Sequence, residues 1–136
     1  MNTKVLINVD YVGGNYCASP ANQDLACAAT GRNVEDLLKN MRDAITMQVA
    51  GMHEDGLAVP EEFVGEYEFE MKMTAQALLK YIDGTISRTA LSKVTGINVN
   101  QLSHYASGWR RPKPETQEKI YSGVRTILAR LSSITL

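Results

Sequence analysis

A short segment in the second half of the chain, residues 97–113, combines small uncharged polar side chains with a cluster of cations. On a helix, such side chains can exchange hydrogen bonds with base edges or touch a thymine methyl group. The candidate base-reading residues are Val99, Asn100, Gln101, Ser103 and His104. Asn and Gln present a donor and an acceptor together, as adenine does, and an imidazole can donate to guanine. These residue types indicate recognition of DNA sequence.

Cations follow the candidate base-reading residues directly, in the sequence Trp-Arg-Arg-Pro-Lys that ends at Lys113. Long positive side chains bind phosphates and position a protein on DNA without reading its bases. The free N–H groups at the start of the preceding predicted helix can bind another phosphate. The candidate phosphate-binding residues are Ser87, Arg88, Thr89, Arg110, Arg111 and Lys113. Trp109, which joins the two groups, is interpreted as a packing residue rather than a DNA contact.

The elements that position these residues are helices, because the second half of the chain has no alternating strand pattern. Ser87 and Asn98 are suitable N-caps, and Pro114 fits the first turn of a last helix. Gly96 suits the positive φ of a tight turn between the second and third helices. A turn of this length between short helices is typical of a helix-turn-helix. The predicted helices cover residues 75–82, 88–95, 99–106 and 114–131.

The first half of the chain has the alternating apolar and polar pattern of β-strands, interrupted by one segment with helical spacing. Apolar residues alternate at the start of the chain, and Gly13-Gly14-Asn15 reads as a hairpin turn. Asn33 caps a helix with apolar residues at helical spacing, which we expect to end at Gly51. A polar connection follows, over residues 51–65. The predicted strands cover residues 5–12, 16–18, 25–30 and 66–72, the last with glutamates on its outer face.

The order β-β-β-α-β followed by four helices predicts an α+β protein with two domains, residues 1–72 and 73–136. Residues 1–72 contain 5 Lys or Arg and 12 Asp or Glu, a formal charge of −7. Residues 73–136 contain 9 Lys or Arg and 3 Asp or Glu, a formal charge of +6. The total of −1 therefore conceals a basic half suited to a polyanion and an acidic half suited to a basic protein.

The helix-turn-helix segment LSKVTGINVNQLSHYASG, residues 91–108, resembles the Cro/repressor type. That family has Leu-Ala, a central Gly-Ile or Gly-Val, a capping hydroxyl, and a closing glycine. Here Ser92 takes the place of the alanine, and Asn98 takes the place of the hydroxyl. By position, the resemblance implies that Val99, Asn100 and His104 read bases.

The first half resembles the HicB antitoxin domain, a partial ribonuclease-H-like fold. The residues that carry this resemblance are LACAATGRNVEDLLKNMRDAI, residues 25–45, together with Tyr16 and Pro60-Glu61-Glu62. Ala26 stands where the family commonly has glycine, and the hairpin departs from the family's Asp-Gly-Gly-Tyr. Many HicB-like proteins end in a DNA-binding domain, which is the order found here.

The two resemblances together imply an antitoxin of a type II toxin–antitoxin pair. Its first domain would bind and block a small, basic, RNA-cleaving HicA-like toxin, and its second would repress the shared promoter by binding operator DNA. The candidate toxin contacts are Asp10, Glu61, Glu62 and Glu66. We expect a homodimer or higher oligomer, because paired recognition helices lie one DNA turn, about 34 Å, apart. The apolar residues of the last helix, from Ile120 to Ile134, either supply that pairing or are plain core.

Two other functions remain open at the level of sequence. A stand-alone transcriptional regulator would have the same DNA-binding half and a first domain that senses something other than a toxin. A metal-dependent nuclease would need several converging carboxylates, and only Asp10 and Glu35 are suitably placed. We therefore expect no enzyme activity, no cofactor and no metal.

Composition also predicts where the protein acts. No apolar run approaches the ~18 residues that a membrane span needs, and the first residues alternate like a strand rather than a signal peptide. Cys17 and Cys27 lack the spacing of metal ligands and are expected to be reduced core residues. We therefore expect a cytoplasmic protein.

Overall fold

The computed structural model describes residues 3–136 and contains a mixed sheet and α-helices, which confirms the predicted α+β class. The chain divides into two compact units, Met1–Thr74 and Ala75–Leu136, so the division falls two residues after the expected boundary. Among the described helices, none is both long and apolar enough to cross a bilayer.

The first unit is a four-stranded sheet covered on one face by a helix. Its strands are β1 Thr3–Val12, β2 Asn15–Pro20, β3 Ala29–Gly31 and β4 Tyr67–Met73, in the order β3-β2-β1-β4. β1 and β2 form an antiparallel hairpin, whereas β4 runs parallel to β1. Because β4 is parallel to β1, the chain must cross back to the other end of the sheet before β4 begins. The helix α1, Val34–Glu54, forms this crossover connection. A short 3-10 turn, Glu61–Phe63, leads into β4.

The core of this unit follows from the alternation of β1 and the helical spacing of α1. Val5, Ile7 and Val9 are almost fully buried, as are Leu37, Met41 and Ile45 of α1. The register places Val5 beside Phe69, so the apolar side of β4 extends the same covered face. The intervening residues of β1 and β4, including the glutamates, lie on the open face of the sheet.

Two boundaries in this unit differ from the prediction by three residues or more, and the other boundaries differ by at most two. The third strand is Ala29–Gly31 rather than residues 25–30, because Leu25 is buried from a turn in which its N–H donates to the carbonyl of Asn22. The helix does not end at Gly51 but continues to Glu54. Burial of Met52 by this last turn offsets the ~1 kcal/mol that a glycine costs inside a helix.

The second unit contains α2 Ala75–Ile82, α3 Arg88–Thr95, α4 Val99–Ser107 and α5 Pro114–Ser132. All four helices contribute to one core. Its buried members are Ala75, Leu79, Leu91, Leu102, Tyr105, Ala106 and Ile120. On α5, Ile120 is buried and Ile127 packs against this core, but Leu128 and Leu131 are exposed, as is Ile134 beyond the end of the helix. The apolar stripe of the last helix is therefore partly core and partly surface.

Two glycines of the first unit give a matched test of packing. A Cβ on Gly31 would lie 2.7 Å from the Cα of Leu37, whereas a Cβ on Gly51 meets nothing within 4 Å. We expect Gly31→Ala to lower the free energy of unfolding by about 1–3 kcal/mol, because α1 would have to shift. Gly51→Ala should raise it by about 0.5–1 kcal/mol. Urea unfolding followed by far-UV circular dichroism measures both, and equal effects would refute the close approach.

Candidate nucleic-acid interface

The turn between α3 and α4 is fixed by backbone geometry and by one side chain, that of Thr95. Gly96 adopts φ 76°, in the left-handed region, and its N–H donates to the carbonyl of Ser92. The hydroxyl of Thr95 donates to the carbonyl of Leu91 at 2.7 Å and accepts from the N–H of Ile97 at 3.2 Å. The turn is therefore held by bonds at both ends.

Each helix of this pair begins at the predicted cap. The Ser87 hydroxyl accepts from the N–H of Ala90 at 3.0 Å, and the Asn98 side chain accepts from the N–H of Gln101 at 2.8 Å. Both caps lie in extended backbone, as an N-cap requires. Capping uses one helix-end N–H at each site and leaves neighbouring donors exposed to solvent or to a ligand.

The outer face of α4 carries the candidate base-reading residues. Val99 and Asn100 are exposed in its first turn, and Gln101, Ser103 and His104 are half-buried. His104 lies four residues after Asn100, so the two side chains share one face of the helix. Leu102 and Tyr105 are buried on the opposite side and hold α4 against the core. The five side chains are thus presented by a helix whose orientation is set by packing.

Ser103 and Arg88 contact each other, which the sequence did not indicate. The Arg88 guanidinium donates to the Ser103 hydroxyl at 2.9 Å and lies 3.7 Å from the carboxylate of Asp83. One candidate base-reading residue and one candidate phosphate-binding residue are therefore joined by a hydrogen bond. Arg88 therefore links α3 to α4, and the nearby carboxylate of Asp83 partly neutralises its positive charge.

Trp109 is 68 % exposed, so the expectation that it is a packing residue is wrong. The chain leaves α4 through Gly108, at φ 82°, and turns the indole outward rather than towards the core. The indole ring packs edge to face against the His104 imidazole, with 4.3 Å between the two ring centres. The Arg110 guanidinium carbon lies 5.3 Å from the centre of the indole ring. The Arg110 N–H donates to the carbonyl of His104 at 3.3 Å, which folds this segment back on α4. An aromatic–cation stack therefore borders the outer face of α4.

The remaining candidate phosphate-binding residues lie at two places in the second unit. Arg110, Arg111 and Lys113 are exposed in the connection between α4 and α5. Ser87 and Thr89 are exposed at the start of α3. Gln76 of α2 helps to hold the end of α4, from which the α4–α5 connection begins. Its side-chain amide donates to the carbonyl of Ala106 at 3.3 Å, near the end of α4. Cations and free helix-end donors are the groups that bind a phosphate backbone.

The candidate acidic contacts of the first unit differ in their surroundings. Asp10 is half-buried and accepts from the hydroxyl of Thr74 at 2.8 Å and from the N–H of Tyr11 at 2.7 Å. Glu62 is half-buried and accepts from the Asn22 amide at 2.6 Å. Glu61 and Glu66 are exposed. Asp10 and Glu62 thus support the local fold, while Glu61 and Glu66 are open to a partner.

Two further acidic residues, Glu68 and Glu70, are exposed on the open face of β4 and were not among the candidates. The signal for them was present, because both alternate with apolar residues in the predicted strand. Lys4 of β1 donates to Glu68 at 2.7 Å, and this bond raises the pKa of the Lys4 ammonium above its ordinary value. Glu68 is therefore partly neutralised.

The two cysteines are free thiols and half-buried. Burial raises the pKa of the Cys27 thiol, which favours its protonated form. Over residues 3–136, no three His, Cys, Asp or Glu side chains form a group that can hold a metal ion.

The chain was compared with known families, curated proteins and solved structures, and none of them matches.

Proposed function

We propose that this protein is a HicB-like antitoxin and autorepressor. The second unit binds operator DNA, and the first unit binds a small, basic, RNA-cleaving protein. The observation that carries the proposal is the capped α3-turn-α4 pair, whose outer face presents polar side chains and is bordered by exposed cations. That arrangement separates base recognition from phosphate binding, as sequence-specific DNA-binding proteins do.

The charge of the two units supports the assignment of one partner to each. The boundary residues 73 and 74 are uncharged, so the charges counted above apply to the two units, which carry −7 and +6. DNA is attracted to the second unit, and a basic protein is attracted to the first. In this proposal the protein acts in the cytoplasm as a homodimer or higher oligomer, without enzyme activity or a cofactor.

Asn100 and His104 are proposed to read bases, so their loss should weaken specific binding most. Full-length protein first selects its preferred sequences from a pool of random duplexes. Asn100→Ala and His104→Ala should each raise the Kd for a selected duplex about 5- to 100-fold, equivalent to ~1–3 kcal/mol per base contact. The Kd for a scrambled duplex should change less than about twofold. Asn8→Ala, an exposed site in the first unit, is the control. Equal losses on both duplexes would show that Asn100 is not a reader.

Arg110 and Arg111 are proposed to bind phosphates, so their loss should be independent of sequence. Arg110→Ala or Arg111→Ala should weaken binding to selected and scrambled duplexes alike. Each should also reduce the slope of log Kobs against log salt by about 1, because fewer counterions are released. Arg32→Ala makes the same charge change in the first unit and should leave the slope unaltered. An unchanged slope in both arginine variants would contradict the assignment.

The first unit is proposed to bind a basic protein through its exposed carboxylates. The probe is the product of a short basic reading frame beside this gene, purified and titrated with the full-length chain. Glu61→Lys and Glu66→Lys should each weaken binding about 2- to 5-fold at low salt, mainly through slower association, and less at high salt. Asp43→Lys, with the same charge change on the exposed face of α1, is the control. No binding by the wild type would remove the antitoxin assignment and leave a stand-alone regulator.

A further inference from the structure

Trp109 is exposed, yet the residues around it hold it in one position. Its indole packs against the His104 imidazole, and the Arg110 guanidinium lies over the indole ring. The Trp109 N–H donates to the Ser107 hydroxyl at 3.3 Å, and the next N–H, that of Arg110, donates to the carbonyl of His104. The backbone of Trp109 is therefore tied to the last turn of α4. A side chain that is already ordered loses little entropy when a partner covers it.

The indole of Trp109 presents a broad apolar ring and a single hydrogen-bond donor. The side chain is 68 % exposed, and no hydrogen bond joins its Nε1–H to another group within residues 3–136. An indole N–H donates and cannot accept, so its natural partner is an oxygen acceptor beside an apolar surface. The DNA backbone has both, because phosphate oxygens accept and the deoxyribose rings between them are largely apolar.

The place of Trp109 beside α4 determines which part of a duplex it meets. The major groove is about 12 Å wide, and a helix with its side chains is about 10–12 Å across. A helix that lies in the groove therefore fills it, and groups that border the helix meet the groove wall. The indole borders the candidate base-reading face next to His104 and does not lie within that face. The groove wall is built of sugars and phosphates.

We propose that Trp109 is a direct contact to the DNA backbone. Its ring packs on a deoxyribose, and its Nε1–H donates to a phosphate oxygen close to the phosphate that Arg110 binds. This inference rests on the proposed function and adds to it a contact that is neutral and independent of sequence. A base edge is the poorer partner, because specific readout pairs a donor with an acceptor or two acceptors, and the indole has one donor.

Trp109 is the one tryptophan of the chain, so indole fluorescence reports on this side chain alone. The full-length protein is titrated with a scrambled duplex, and the anisotropy of a labelled duplex measures binding separately. Acrylamide quenching of the indole should fall at least about twofold at saturation, because the backbone would cover the exposed ring. A second copy of the protein would cover the ring without DNA. Quenching that falls with protein concentration alone would therefore overturn the proposal.

Two substitutions distinguish the indole from the cations beside it. Trp109→Ala should raise the Kd about 5- to 20-fold for a scrambled duplex, and at least as much for a selected one. Trp109→Phe keeps a flat ring but loses the donor, so the Kd should rise about 2- to 5-fold. Neither should alter the slope of log Kobs against log salt, because the indole is uncharged. Tyr81→Ala, which removes another exposed ring from the second unit, is the control, and circular dichroism checks folding.

The outcomes distinguish a failure of this contact from a failure of DNA binding. If no labelled duplex binds the wild type, DNA binding is refuted and the contact with it. If the duplex binds but the quenching is unchanged, or Trp109→Ala leaves the Kd for the scrambled duplex unaltered, the Trp109 contact alone is refuted. A slope that falls by about 1 in Trp109→Ala, as expected for Arg110→Ala, would also overturn the contact. Trp109 would then act only by placing the Arg110 guanidinium.

Discussion

The turn between α3 and α4 is the constraint on which the geometry of the second unit depends. Gly96 takes a backbone conformation that is strained for residues with a Cβ, and Thr95 bonds to α3 on one side and to Ile97 on the other. Asn98 then begins α4 with its own side chain. These local bonds fix where α4 starts, and burial of Leu102 and Tyr105 fixes its rotation. The polar outer face of α4 is therefore positioned mainly by the buried side of the same helix.

The outer face of α4 is not independent of its surroundings. Arg88 ties Ser103 to α3, and Trp109 with Arg110 borders His104. In the proposed DNA complex, these contacts order the side chains before binding and so reduce the entropy lost on association. They also oppose phosphate binding by Arg88, because a phosphate would compete with Ser103 and Asp83 for the Arg88 guanidinium. Residues proposed to read bases therefore contact residues proposed to bind phosphates.

Most of the fold could be predicted from the sequence, because its boundaries are set by local chemistry. The caps at Asn33, Ser87 and Asn98 satisfy N–H groups within three residues, and alternation in β1 and β4 marks the buried face. Features that depend on distant residues could not be predicted. Leu25 is buried by the tertiary fold outside any strand, and the partners Arg88 and Ser103 lie 15 residues apart. For the candidate site, residue types were readable from the sequence, whereas side-chain partners were not.

β4 shows how one alternating pattern serves two requirements. Its apolar residues complete the face covered by α1, and its charged residues keep the open face in water. Phe69 and Met71 are half-buried on the covered side, whereas Glu68, Glu70 and Lys72 are exposed on the other. Lys4 of β1 donates to Glu68 and so offsets one of these carboxylates within the sheet. Because side chains of a strand alternate between the two faces, a single seven-residue strand supplies both part of the core and a charged, solvated surface.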